Sequence, residues 1–253
     1  MTRRPPPARR PVESDGSERA VSDVVGFVLV FSLITITVAL VYTSGVGSLQ
    51  DARTAEQLDN AQMAFDVLQS NVADVVNRGS PARSTTIRLS AATLRAGDPV
   101  TVNVSSANGS VSRDVTPLVY ELDGTEIVYV DGALLRAQGG NAAMLAAPNA
   151  HFGDVALVPL VDTYVPGSAA VGGGRTLVTA RVADPERRQV DRYDEAPFHA
   201  NVTTTRPGPW ERYFDGRCAN VTTVAAGART TVSCRLNAST VVVQRTAVRV
   251  TFR

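Results

Sequence analysis

Lysine is missing from this sequence, and several residue types from which sites are built are scarce: two cysteines, two histidines and one tryptophan in 253 residues. Each absence removes a class of function. His151 and His199 stand alone, and two cysteines supply neither a four-cysteine nor a Cys/His zinc spacing. All 25 basic residues are arginine, set against 24 acidic ones, which reads as a compositional bias. With no basic surplus on any later segment, nucleic acid is not expected as a partner. Gly172-Gly173-Gly174 is a glycine run that lacks the Lys-Ser/Thr and following helix of a phosphate loop. No nucleophile elbow, paired-carboxylate signature or metal-binding helix occurs. We therefore expect no enzyme, no metal and no cofactor.

What the sequence does have is an uncharged run from Val24 to Tyr42, VVGFVLVFSLITITVALVY. Nineteen helical residues span about 28 Å, close to the ~30 Å hydrocarbon core of a bilayer. Thirteen of them are Val, Leu, Ile or Phe, each favouring insertion by about 0.3–0.6 kcal/mol at the centre. Ser32, Thr35, Thr37 and Gly26 do not cancel that sum. The alternative, a core helix of a soluble domain, seldom runs so long without a polar stripe.

The residues before the run, MTRRPPPARRPVESDGSER, are rich in proline and arginine and read as a disordered tail. Arg3, Arg4, Arg9, Arg10 and Arg19 precede the run, whereas Arg53 is followed and preceded by Asp51, Glu56, Asp59 and Asp66. Positive-inside orientation then places the N-terminus in the cytoplasm and the C-terminal mass outside the cell membrane, in single-pass topology. The apolar run is too long for an ordinary secretory signal, and the small-residue sites after Tyr42 are weak.

Glu18-Arg19-Ala20-Val21-Ser22-Asp23-Val24-Val25-Gly26 resembles the prepilin-type, or class III, signal of archaeal type IV pilin-like proteins. In that family a charged residue is followed by Ala-Val-Ser-Pro-Val-Ile-Gly, and a prepilin peptidase cuts on the cytoplasmic face before the apolar segment. The resemblance implies processing between Arg19 and Ala20. Asp23 stands where those pilins have proline. It is either an interfacial carboxylate near the positive end of the helix or a contact to the freed Ala20 amine of a neighbouring subunit.

Beyond Gly45 and Gly47, Leu58, Ala61, Phe65, Leu68, Val72 and Val75 recur at steps of three and four, which predicts an amphipathic helix over 48–78 stopped by Gly79 and Pro81. From Ser84 the period becomes two. Strands are expected at Thr86–Ser90, Val100–Val104, Leu118–Leu122, Ile127–Val130, Val155–Leu160, Thr176–Val182, His199–Thr205, Thr230–Leu236 and Ser239–Phe252, with Asp123-Gly124 as a hairpin turn. The expected fold class is α+β: a long N-terminal transmembrane and amphipathic helix followed by an antiparallel β-sandwich-like extracellular domain. The divisions are a cytoplasmic leader at 1–19, the transmembrane helix at 20–47, a stalk helix at 48–79 and the β-rich domain at 80–253.

Cys218 and Cys234 flank fifteen residues that read as a turn between short strands. A disulfide there is worth ~3 kcal/mol in the chain-entropy picture and suits an oxidising outer face; two free buried thiols are the alternative. Five of ten asparagines begin Asn-x-Ser/Thr triplets, namely Asn103, Asn108, Asn201, Asn220 and Asn237, all beyond the apolar run. These are candidate glycosylation sites. The charge run Asp184–Glu195 is most simply a solvated loop.

The order of segments is similar, over nearly the full chain, to a haloarchaeal family of uncharacterised membrane-anchored proteins. The similarity runs through RAVSDVVGFVLVFSLITITVALVYTSGVGS (19–48), Phe65-Asp-Val-Leu, Arg78-Gly-Ser-Pro, Pro209-Trp210-Glu211-Arg212-Tyr213 and the final Val-Arg-Val-Thr-Phe. It implies an anchored, pilin-like envelope protein whose partners are membrane lipid, a prepilin-type peptidase and other pilin-like subunits. The expected function is a structural or adhesive surface protein. A signal-anchored ligand-binding module or receptor without catalytic activity is the alternative.

Overall fold

The computed structural model describes residues 17–167, 170–183 and 189–253, with side chains described from Val24 onward. The first element is one helix, α1, running Ser17–Asn77 and passing through Gly45 and Gly47 without a break. A glycine inside a helix costs about 1 kcal/mol relative to alanine, too little to interrupt a segment hydrogen-bonded on both sides. The helix ends where its signals predict. The amides of Arg78 and Ser80 both return to the Asp74 carbonyl (3.0 and 3.3 Å), and Gly79 between them takes φ +72°, a left-handed closure that glycine adopts without a Cβ clash.

The chain divides into two compact units, Met1–Arg53 and Thr54–Arg253. In the first, Val24 to Arg53 forms helix with no buried residue. The second is built from the remainder of α1, a short helix α2 (Pro207–Phe214) and, among the described residues, sixteen strands. Sheet A joins β1 (Ala82–Arg88), β11 (Arg175–Val182), β16 (Thr240–Phe252) and β12 (Gln189–Tyr193), with β9 (Val155–Tyr164) on β16. Sheet B is a meander in the order β10 (Ala170–Gly172), β2 (Thr93–Ala96), β5 (Leu118–Leu122), β6 (Thr125–Val130), β7 (Ala133–Gln138) and β8 (Asn141–Ala146). Sheet C runs β14 (Asn220–Ala226), β15 (Arg229–Leu236), β13 (Phe198–Thr204), β3 (Val100–Ser105) and β4 (Ser110–Val115).

Sheet B lies between two cores. Leu118, Tyr120, Ile127 and Tyr129 face Phe65, Leu68 and Val72 of α1 together with Val178 and Val250 of sheet A. Val119, Val128 and Leu135 turn the other way, onto Val102, Val202 and Val232 of sheet C and Trp210 of α2. β5 is consequently buried on both faces and reads Leu-Val-Tyr-Glu-Leu, nearly continuously apolar. Long β16 joins the cores, giving Val241 and Val243 to one and Val248 and Val250 to the other.

The fold class is α+β with a sandwich-like β domain. The structure exceeds the sequence expectation in strands β2, β4, β7, β8 and β10, which were not predicted, and in three further details. β9 and β16 pair in parallel over Val155↔Thr240 to Tyr164↔Arg249, inside an otherwise antiparallel set. α2 forms where no helix was predicted: Pro207 and Pro209 sit in its first turn, where a missing amide costs nothing, and Trp210, Tyr213 and Phe214 bury its apolar face. Within the expected solvated loop, Gln189–Tyr193 instead forms strand β12 against β16. Its charges are partly matched, since Asp191 meets Arg245 at 2.7 Å and Asp194 accepts a bond from the Thr240 hydroxyl at 2.8 Å. Residues 184–188 of that run lie outside the described set.

Candidate functional site

Four regions carry chemistry that packing alone does not require. The first is the apolar half of α1. Its threonines are internally satisfied: the hydroxyls of Thr35, Thr37 and Thr43 donate to the carbonyls of Phe31, Leu33 and Ala39, four residues back, at 2.8–3.0 Å. Such back-bonding removes most of the cost of placing a hydroxyl in an apolar medium. Phe27 and Tyr42 are 70% and 71% exposed. By length and composition the helix is able to cross a membrane. Arg19, Ala20 and Asp23 lie on the helical backbone, but their side chains fall outside the described residues.

The second region is sheet C. Cys218 and Cys234 form a disulfide, with Cα atoms 5.5 Å apart. It ties the end of the α2 turn to β15, and Cys234 is buried in the same core as Trp210. The five sequons converge on this same sheet. Asn103 on β3 and Asn201 on β13 are direct cross-strand partners, and the Asn201 amide donates to the Asn103 Oδ1 at 2.9 Å. Asn108 lies exposed in the β3–β4 hairpin, Asn220 opens β14, and Asn237 follows β15. Sequence spacing did not reveal this convergence, because the five asparagines span more than a hundred residues.

A cavity of about 210 Å³ forms the third region, lined by Gln69, Val72 and Val76 of α1, by Tyr129 and Asp131 at the end of β6, and by Val161 of β9. Asp131 is 5% exposed. Asp131-Gly132 is a two-residue hairpin turn with φ +48° and +78°, the geometry that Asp-Gly favours. Such turns normally face water; here α1 covers it. Gln69 Nε2 donates to the Gly132 carbonyl at 2.6 Å, and the Val161 amide donates to Asp131 Oδ1 at 2.7 Å. Burial pushes the Asp131 carboxyl up to about 8; the Val161 amide opposes the rise and nearby Asp162 adds to it. Burial likewise holds the Tyr129 phenol well above its ordinary value. The same dipeptide signal that marks Asp123-Gly124 was present at Asp131-Gly132, but its burial was not readable.

The fourth region is a polar groove of about 530 Å³ between the β6–β8 hairpins and the start of α2, lined in part by Glu126, Asn141, Arg206 and Arg212. Glu126 organises it. Arg95 donates to one of its oxygens at 2.6 Å and Arg206 to the other, while Arg95 also reaches Glu121 at 3.3 Å. Arg212 is held against the Ala142 carbonyl. Among the described residues no three His, Cys, Asp or Glu side chains are grouped as a metal site. His151 bridges to Leu157 through its backbone, and His199 sits on β13.

A family profile matches residues 19–251, taking in both the apolar helix and the β domain. The chain belongs to DUF7289, a family of unknown function. No curated protein and no solved structure matches it.

Proposed function

We propose that this chain is a pilin-like structural or adhesive surface protein, anchored in the cell membrane by the apolar half of α1 with its N-terminus in the cytoplasm and its β domain outside. The observation that carries the reading is the construction of α1. One unbroken helix is apolar around its whole circumference over Val24–Tyr42, and over Leu58–Val76 it buries one apolar stripe, with which it becomes part of the β domain's core. A helix used only as a cleaved signal has no reason to continue into a core. The reach of the family match from residue 19 to 251 supports treating helix and domain as one architecture. The disulfide and the grouped sequons support an external, oxidising location, with Asn108, Asn220 and Asn237 the accessible acceptors.

Processing by a prepilin-type peptidase between Arg19 and Ala20 belongs to this proposal, as does assembly with other copies. N-terminal sequencing of protein from native membranes is the test. A start at Ala20 is expected, and an intact start at Met1 or Thr2 would leave a plain signal anchor. The groove around Glu126, Arg206 and Arg212 favours a second reading, an anchored binding module for a polar ligand. The two separate by location: the subunit is recovered in purified surface filaments by mass spectrometry, whereas the module remains a monomer in the membrane fraction.

A further inference from the structure

The outward face of sheet A carries a charge arrangement that no ion pair among the described residues compensates. Arg88 on β1 lies directly opposite Arg175 on β11, and Arg181 on β11 lies directly opposite Arg249 on β16. Like charges placed opposite each other across a ladder are destabilising. Arg253, bonded through its backbone to Leu177, adds a fifth guanidinium between the two pairs. Among the described residues none of the five is in an ion pair, and the nearest carboxylate by register, Asp162 on β9, shares its depression with Arg113 and Arg245. At the centre and edge of this basic face Leu177 and Tyr164 are 42% and 39% exposed.

The opposite arrangement lies on the outer side of α1 within the same compact unit. Glu56, Asp59 and Asp66 are exposed on one side of the helix, and none is ion-paired among the described residues. Met63 and Val67, at the same helical spacing, are 58% and 53% exposed. Thus each surface presents two exposed apolar side chains bordered mainly by charge of one sign, positive on the sheet and negative on the helix. Their lengths overlap: Arg175 to Arg181 covers about 20 Å of strand, of which Glu56 to Asp66 can span about 15 Å of helix.

We propose that the outward face of sheet A in one copy docks on the Glu56–Asp66 face of α1 in a second copy. Met63 and Val67 meet Leu177 and Tyr164, and the arginines take the helix carboxylates in planar, bidentate pairs. The two surfaces differ, so the contact is heterologous and adds copies head to tail instead of closing a symmetric dimer. Three strands by six residues is an area of about 300 Å² per partner by strand spacing and rise, below the ~800 Å² of a stable interface. The contact therefore sets register between neighbours and acts together with packing of the apolar helices. It rests on the assembly part of the proposed function.

Sedimentation velocity of the full chain in detergent micelles tests it. Wild-type protein is expected to associate, more weakly as salt is raised. Arg181→Glu with Arg249→Glu, and separately Asp59→Arg with Asp66→Arg, should each weaken association by about tenfold or more. An equimolar mixture of the two variants should recover association, because each then offers the other a complementary face; loss of folding cannot produce that recovery. Wild-type association that neither reversal weakens, or a mixture that does not recover, would overturn this contact while leaving assembly standing. Wild-type protein that sediments as a single protomer at every salt concentration would overturn assembly itself, and this contact with it.

Discussion

The two halves of α1 are the same secondary structure solving opposite problems. From Val24 to Tyr42 large apolar side chains point in every direction and none is buried by the protein. From Leu58 to Val76 the apolar residues fall mainly on one stripe, with Met63 and Val67 exposed on the other side, and Phe65 and Val72 on that stripe are wholly buried against strands. Each such side chain contributes about 1.5–3 kcal/mol when removed from water. In the second half that contribution comes from sheets A and B; in the first it must come from something outside the folded chain. Helicity is therefore uninformative about environment, and the angular spread of apolar residues is what distinguishes a lipid-facing helix from a core helix.

Truncating one residue in each half is the largest test of that contrast. Phe65→Ala should lower the stability of the β-rich unit by about 3–5 kcal/mol, read from denaturant unfolding, because Phe65 packs against Tyr120 with ring centroids 6.4 Å apart. Phe31→Ala should leave the same transition unmoved. Equal effects from both substitutions would mean that the halves are not independent in the way their burial implies.

A charge in the first half probes the missing environment. Leu33→Arg should reduce membrane insertion by about 3 kcal/mol, seen as loss of the protein from the membrane fraction. Undiminished recovery there would contradict a lipid-facing position for Leu33.

The disulfide offers a comparison within the β domain, since it ties down the sheet farther from α1. Cys218→Ser with Cys234→Ser should cost about 3 kcal/mol for a loop of sixteen residues. The loss should be the same whether or not Phe31 is truncated, as expected of sites without shared partners.

A last effect, read as a trend with pH, concerns how tightly the second half of α1 seals the Asp131 turn. Unfolded, this carboxyl titrates near 3.8; folded, near 8. Between those values the folded protein binds more protons than the unfolded, so this group's contribution to stability falls as pH rises, with a slope of at most about 1.4 kcal/mol per pH unit. Asp131→Asn keeps the acceptor for the Val161 amide and tolerates φ +48°. The variant should gain on wild type progressively from pH 4 to 8 in thermal unfolding. A constant difference would show that the cavity is wet enough to solvate the carboxylate.

Local pattern alone determined the apolar run, the amphipathic stripe ending at Gly79, the period-two strands and the Asp123-Gly124 turn, because each is an interaction between residues a few positions apart. The pairing of Cys218 with Cys234 was also accessible, there being only two cysteines. α2 was not, since a helix with two prolines in its first turn forms only once Trp210, Tyr213 and Phe214 have a core to enter. Nor was β12, whose charged residues sit on a strand because β16 supplies the ladder and Arg245 the partner. The parallel β9–β16 pair, the burial of Asp131 beneath α1, the Glu126 network, the grouping of five sequons on sheet C and the five arginines on sheet A all join residues tens to more than a hundred positions apart. Periodicity says which way a side chain points from its own strand. Which strand lies beside it, and therefore which charges and amides become neighbours, was decided by how two cores were closed around sheet B.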